Sequence, residues 1–291
     1  MIKINSELPN CMLEENLTLN EYDFVLFHLY ESDERYRNFY KQMRIAHPDR
    51  LMIFDNSAYE YFVKGETLDM DKYVQAILDL KPNFYILPDV LRDKDKTIEG
   101  IITFVEKYIK NDKYRKQLLT GGISYPMAIA QGSSSEDLVE CVQMFKEMGL
   151  SVIGLPFHLD FYTDGPYDAD IESEFIETYM VETEDIRYAM GRIQWVRDHR
   201  GLLGLDEDPR NRPFSYIHML GSHCPYEKVF YCHDINSMDT GYPVKCAIEG
   251  LRLGEESQKP SVIIDDFLNE ELPENKKQLI RDNVKLFREY Q

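Results

Sequence analysis

Short apolar runs recur along the chain, and most end in Gly, Pro or a polar residue before an amphipathic stretch begins. Seven of them read as strands: Phe24–Tyr30, Leu51–Ser57, Phe84–Val90, Pro126–Gly132, Ser151–Phe157, Phe214–Gly221 and, with a break, Val229–Met238. Segments such as LMIF, FYIL and SVIGL are apolar on both faces, which is how a strand buried inside a parallel sheet reads. SVII at Ser261–Ile264 is a weaker eighth candidate. Between the strands, apolar residues at helical spacing predict helices over Met70–Leu80, Thr97–Ile109, Ser135–Met148 and Glu172–Val196. Ser133, Ser134 or Ser135 suits the cap of the third, with Glu136 and Asp137 in its favourable first turn.

This alternation predicts an α/β protein, a (β/α)8 TIM-type barrel, and 291 residues suit one such domain over the whole chain, 1–291. The span 163–213 is too long for a simple crossover and reads as an insertion between the fifth and sixth of these strands, at the barrel mouth. Residues 265–291, with Leu279, Ile280, Val284 and Phe287 at helical spacing, read as a C-terminal helical tail. No internal repeat or low-complexity linker marks a second domain.

Composition narrows the class. With 43% hydrophobic and 29% charged residues the chain is an ordinary globular protein. Its five scattered cysteines form no framework and suit free thiols in a reducing cytoplasm. The first fifteen residues lack the basic start and apolar run of a leader, and no stretch nears the roughly 18 apolar residues of a membrane span. The expectation is a cytoplasmic protein with no membrane partner. A formal charge of −19 repels polyanions at long range. Two basic groups run against it: Lys107, Lys110, Lys113, Arg115 and Lys116, then Arg187, Arg192, Arg197, Arg200, Arg210 and Arg212. Charge runs of this kind more often simply face water.

In a βα barrel the chemistry comes from the carboxyl ends of the strands, whose loops converge on one mouth. Here those ends carry Asp55-Asn56-Ser57, Pro88-Asp89, Gln131-Gly132, Gly154-Leu155-Pro156, His218-Met219-Leu220-Gly221 and the segment Asp234 to Asp239. Carboxylates and amides around one pocket, with small residues that let a flat ligand reach the backbone, suit a purine. Two carboxylates also suit glycosidic chemistry, one attacking or stabilising the oxocarbenium-like carbon and the other managing the proton. Against this, Asp55, Asp89 and Asp239 could cap the helices that follow them, and Tyr59 and Leu220 could be packing residues.

In order, these motifs resemble the tRNA-guanine transglycosylase superfamily, most closely its small phage-type DNA-modifying branch, from about Leu51 to Glu249. DNSAYE at Asp55–Glu60 is similar to the family's Asp-Ser-Gly-Gly-aromatic-Gln, which implies that Asp55 is the general acid/base and Tyr59 a base-stacking ring. ILPDV places Asp89 at the guanine-reading aspartate, and AIAQG places Gln131 at a second base reader. IGL implies backbone contacts from Gly154 and Leu155, and HMLG puts Leu220 opposite Tyr59, with Gly221 beside the base. SMDTGYPVK resembles the nucleophile segment, with Asp239 as nucleophile and Lys245 in the family's arginine position; Lys245 and Arg92 are the phosphate-contact candidates.

The chain departs from the family in Asn56-Ser57-Ala58 and Glu60, and it lacks the Cys-x-Cys-x-x-Cys zinc signature, so the zinc subdomain is expected to be absent. His223, Cys224, Cys232 and His233 match no closed tetrahedral pattern, and no metal is expected there. The resemblance therefore implies exchange of guanine in a nucleic acid, DNA rather than tRNA, for a free 7-deazaguanine base through a covalent aspartyl-sugar intermediate. No cofactor is needed, and the site of action is the cytoplasm, the host's if the chain is phage-encoded. The alternatives are a hydrolase or transferase acting on nucleosides or small glycosides, and a catalytically inactive purine-binding barrel.

Overall fold

The computed structural model describes residues 2–111, 114, 118, 124–179, 184–231, 234–254 and 271–289. Eight strands run through them: β1 Lys3–Ser6, β2 Asp23–Leu26, β3 Met52–Asp55, β4 Phe84–Ile86, β5 Tyr125–Ile129, β6 Val152–Leu155, β7 Tyr216–Met219 and β8 Ser237–Thr240. They form one parallel sheet in the order β1-β8-β7-β6-β5-β4-β3-β2, with helices between them. This is the α/β (β/α)8 TIM-type architecture that the alternating pattern predicts.

Three strands differ from expectation. The run Phe24–Tyr30 divides, its first residues lying in β2 and Phe27–Ser32 forming a helix whose last turn is closed by the Asp33 N–H on the Leu29 carbonyl. β1 lies in a segment too short and polar to show a period, and it precedes all seven predicted runs. The run Val229–Met238 divides: Glu227–Tyr231 is a helix, and the strand follows it as β8, reaching Thr240. Val229, Phe230 and Tyr231 favour strands intrinsically, but the local hydrogen bond from Val229 N to the Tyr226 carbonyl belongs to a helical turn. The candidate at Ser261–Ile264 lies outside the described residues.

The chain divides into two compact units. One comprises Tyr22–Leu155 with Pro209–Tyr216; the other comprises Met1–Glu21, Pro156–Asp208 and Ile217–Gln291. In the first, β2, β3, β4 and β5 pair in sequence, and β5 pairs with β6. Its core is aromatic: Phe54 stacks on Tyr73 and meets Phe27 and Tyr30 edge-on. The helix Met70–Leu80 has the predicted bounds, capped by Asp69, whose carboxylate accepts from the backbone N–H of Asp71 and Lys72. Ser134 is the residue that caps Ser135–Glu147.

In the second unit β8 pairs with β1 and β7, which sets Asn5 beside Asp239 and Ser237 beside His218. The span 163–213 follows β6 and holds the helices Ala169–Tyr179 and Glu184–Asp198, where one helix over Glu172–Val196 was expected. The Glu184–Asp198 helix is core rather than appendage, buried at Ile186, Tyr188, Ala189, Met190, Ile193, Trp195 and Val196. At Gly191 it presses on the turn Asp160–Thr163, where an added Cβ would sit 2.0 Å from the Tyr162 carbonyl oxygen. Gly191→Ala must therefore move backbone, and we expect it to destabilise the protein by about 1–3 kcal/mol or more. A chemical-denaturation midpoint equal to the wild type's would refute that packing. In the tail, Glu274–Glu289 is helical and buries Ile280, Val284 and Phe287. Among the described residues no helix is long and apolar enough to cross a membrane.

Candidate functional site

In the first unit the ends of three adjacent strands are laced together by side chains from three of the motifs. Asp89, half-buried three residues past β4, accepts from Asn56 Nδ2 at 2.8 Å on one oxygen and from Gln131 Nε2 at 2.8 Å on the other. Asn56 also donates to the Leu87 carbonyl at 2.7 Å, while its own Oδ1 accepts from Ala58 N at 2.9 Å. Gln131 Oε1 accepts from the backbone N–H of Arg92 at 3.0 Å. Burial pushes the Asp89 carboxyl above its ordinary value, against the pull of the two amide donors. Such a carboxylate keeps lone pairs for further N–H donors.

Asp55 ends β3, and its Oδ2 accepts from Ser57 N at 2.7 Å. Ser57 adopts the left-handed region at φ 60°, and its hydroxyl lies 3.1 Å from His28 N and 2.9 Å from His28 Nδ1. Arg92, at φ 61°, is a second strained non-glycine residue in these loops. Behind them Tyr73 donates to the Phe54 and Ile86 carbonyls at 3.1 and 2.8 Å, stapling the ends of β3 and β4. Burial first, and then the charges of Asp55, Tyr85 and Asp89, raise the Tyr73 hydroxyl well above its usual range.

In the second unit Asp239 lies on β8, 3% exposed. Its Oδ1 is 2.9 Å from His218 Nε2, and its Oδ2 accepts from Gly221 N at 3.1 Å. His218 Nδ1 is 2.8 Å from Ser237 Oγ. In the tautomer where Nε2–H donates to Asp239, Nδ1 accepts from that hydroxyl. Gly221, at φ 67°, makes the turn that aims its N–H at the carboxylate. Beneath this turn lies a buried ion pair, with Arg192 Nε and Nη2 on the Glu227 carboxylate at 2.6 and 2.8 Å. Arg192 Nη1 donates to the Leu220 carbonyl at 2.8 Å, and Ser222 and Tyr231 each donate to Glu227 at 2.6 Å.

Capping does not account for Asp89 or Asp239. Asp93 caps the helix after β4, and Gly241 stands at the cap after β8. Asp55 closes a local turn onto Ser57 N, and Ser57 holds the cap position of the next helix. Of the other predicted residues, Tyr59 is 57% exposed on the helix Ala58–Lys64 and so is no core residue. Gly154 and Leu155 are buried in β6, with the Gly154 carbonyl accepting from Ala130 N. Leu220 is half-buried in the second unit, and Lys245 is half-buried on Tyr242–Ile248. Asn56, His28, Ser57 and His218 complete the two networks without having been assigned roles from sequence. An amide directly after the strand-ending Asp55 was the signal for Asn56.

Among the described residues, several members of the two basic groups are buried or paired with carboxylates. Arg192 is fully buried against Glu227. Arg197 pairs with Asp168 and Asp170 over the ring of Phe230, and Arg200 pairs with Asp206 and Asp234. Lys107 and Lys110 pair with Asp71 and Glu106, while Lys113, Arg115 and Lys116 lie outside the described residues. Cys232 and His233 lie outside them as well. Burial pushes the Cys141 thiol up to about 12, so it behaves as a packing group. A shallow groove lined by Phe27, Tyr30, Glu31, Arg37 and Ala76 contains none of the predicted residues. No protein-family model matches the chain, and no curated protein matches it.

Proposed function

We propose that this protein is a pentosyltransferase that exchanges guanine in DNA for a 7-deazaguanine base. The observation that carries the reading is the Asp89 carboxylate, fixed between the amides of Asn56 and Gln131 at 2.8 Å each, with burial opposing its charge. A desolvated, doubly held acceptor is suited to the adjacent ring and exocyclic N–H groups of guanine. Gln131 and the backbone of Gly154 and Leu155 complete base recognition, and Tyr59 is the stacking ring. Extruding the base from a duplex costs a few kcal/mol.

Asp239 then attacks C1′. A C1′–oxygen bond forms as the bond to guanine breaks, and the departing base takes its proton from the protonated carboxyl of Asp55, leaving the carboxylate that serves as base in the second step. The incoming 7-deazaguanine, deprotonated by Asp55, attacks C1′ in turn and releases Asp239. Two displacements keep the sugar activated while the bases trade places. Lys245 and Arg92 are the phosphate contacts in this scheme.

The test is mass spectrometry of nucleosides from DNA incubated with the protein and candidate 7-deazaguanines. The deazaguanine nucleoside should appear at the expense of deoxyguanosine. Asp89→Asn replaces one acceptor by a donor and should weaken base binding by about 1–3 kcal/mol, read by calorimetry with the free base. Unchanged affinity would remove Asp89 from the base site.

The formal charge of −19 and the pairing of Arg197 and Arg200 favour a second reading, in which the same residues act on free nucleosides. Exchange on guanosine or deoxyguanosine, with no duplex binding at low salt, would select it. No exchange on DNA, tRNA or nucleosides would end both readings.

A further inference from the structure

We propose that His158, Asp185 and His223 bind one divalent transition-metal ion of the kind zinc represents. Among the described residues they are a group of ligating side chains whose donor atoms all lie within 4.8 Å of one another. They come from separate places in the second unit: His158 from the loop after β6, His223 from the loop after β7, and Asp185 from the first turn of Glu184–Asp198. His223 Nδ1 and Asp185 Oδ1 are 3.2 Å apart. Donors on a tetrahedral ion with bonds of about 2.1 Å stand roughly 3.4 Å apart, so this pair already has the separation, and the His158 donor, within 4.8 Å of both, has to draw closer.

The donor set selects the ion class. Two imidazoles and one carboxylate suit zinc, cobalt or ferrous iron, whereas magnesium and calcium take oxygen shells. Three protein ligands leave a fourth position for water. An ordinary Asp–His ion pair needs one imidazole; here a second meets the first edge-on, with ring centroids 4.7 Å apart. Aromatic rings wall the group: Phe157 and Tyr242 beside His223 at 5.3 and 5.4 Å, and Tyr188 beside His158 at 5.0 Å. Such a shell limits water access and strengthens the field at the donors.

The loop carrying His223 is held in advance. Arg192 fixes the Leu220 carbonyl, and Ser222 is bonded to Glu227, so His223 leaves a backbone that need not be ordered on binding. An ion there would fasten the Glu184–Asp198 helix to the loop whose Gly221 N–H holds Asp239. The site is independent of the proposed base exchange, since it rests on none of the base-reading residues.

The experiment uses the full-length protein, stripped with a chelator and titrated with Zn²⁺ and, separately, Co²⁺. One equivalent of each should bind, and the Co²⁺ form should show visible d–d bands of a nitrogen/oxygen site without a thiolate charge-transfer band. His158→Gln, His223→Ala and Asp185→Asn should each weaken Zn²⁺ by at least about 100-fold, since loss even of outer-sphere partners costs 10–100-fold. Cys224→Ser should bind as wild type does. Far-UV circular dichroism checks that each variant is folded, and the wild-type Co²⁺ spectrum decides the case if one is not. Absence of stoichiometric binding, a thiolate band lost in Cys224→Ser, or undiminished affinity in folded His158→Gln/His223→Ala overturns the site.

Discussion

Asp239→Asn is expected to lower the proposed base exchange by at least about a thousandfold while the protein stays folded, because removing the proposed nucleophile eliminates the covalent route altogether. Asparagine tests chemistry apart from folding at this position. Its Oδ1 can still accept from Gly221 N, which now lies 3.1 Å from the carboxylate. Its amide can donate to His218 Nε2 once the ring takes its other tautomer, with Nδ1–H donating to Ser237 Oγ. Every buried polar atom keeps a partner, so the loss should appear in kcat and not in the melting temperature. Asp239→Ala should be equally inactive but less stable, since it strands the His218 ring and the Gly221 N–H. Acid-quenched wild-type protein should carry a sugar adduct that Asp239→Asn lacks. Near-normal turnover by Asp239→Asn would remove Asp239 from the nucleophile's role.

The same polar character explains why β8 is hard to see in the sequence. Its residues are Ser237, Met238, Asp239 and Thr240, all buried, and three of the four are polar. Burial of polar residues is tolerated because each is bonded inside the fold: Ser237 to His218, Asp239 to His218 and Gly221, and Thr240 to Ser222 and Tyr242. β1 is its partner and is equally opaque, with Asn5 and Ser6 buried. Apolar periodicity finds strands lined by packing residues and misses strands whose buried positions are polar. Where packing alone decides, as in Met70–Leu80 or the Ser134 cap, expectation and structure agree. Asp89 and Gln131 were legible as motif members, and their direct bond followed from the adjacency of β4 and β5. Asn56 was visible as an amide directly after the strand-ending Asp55, but its bonds to Asp89 and Leu87 were not, because a side chain that donates across strands has no signature of its partners in its own segment.

Arg192 shows the converse. It was grouped with surface arginines, yet it lies on the buried side of its helix with Tyr188, Ala189, Met190, Ile193, Trp195 and Val196, while Arg187, Gln194 and Arg197 stand on the open side. A cation on the buried side of a helix needs a buried counter-ion, and Glu227 supplies it. Burial alone would push the guanidinium down, but the charges of Glu227 and Tyr231 hold it above its ordinary value. Arg192→Met should therefore destabilise the protein by about 3–5 kcal/mol, because it leaves the Glu227 charge buried without its partner. Replacing both, as Arg192→Met with Glu227→Leu, should recover much of that loss, since a well-packed apolar pair is often no less stable than the ions it replaces. Recovery should be smaller for base exchange than for stability. The double variant still lacks the bond from Arg192 to the Leu220 carbonyl and the anchor for Ser222, on which the turn presenting Gly221 N–H to Asp239 depends. Urea unfolding of the three proteins, with turnover measured on the folded fraction, separates the two roles. A single variant within about 1 kcal/mol of wild type, or a double variant recovering activity as fully as stability, would show that the ion pair does not hold that turn.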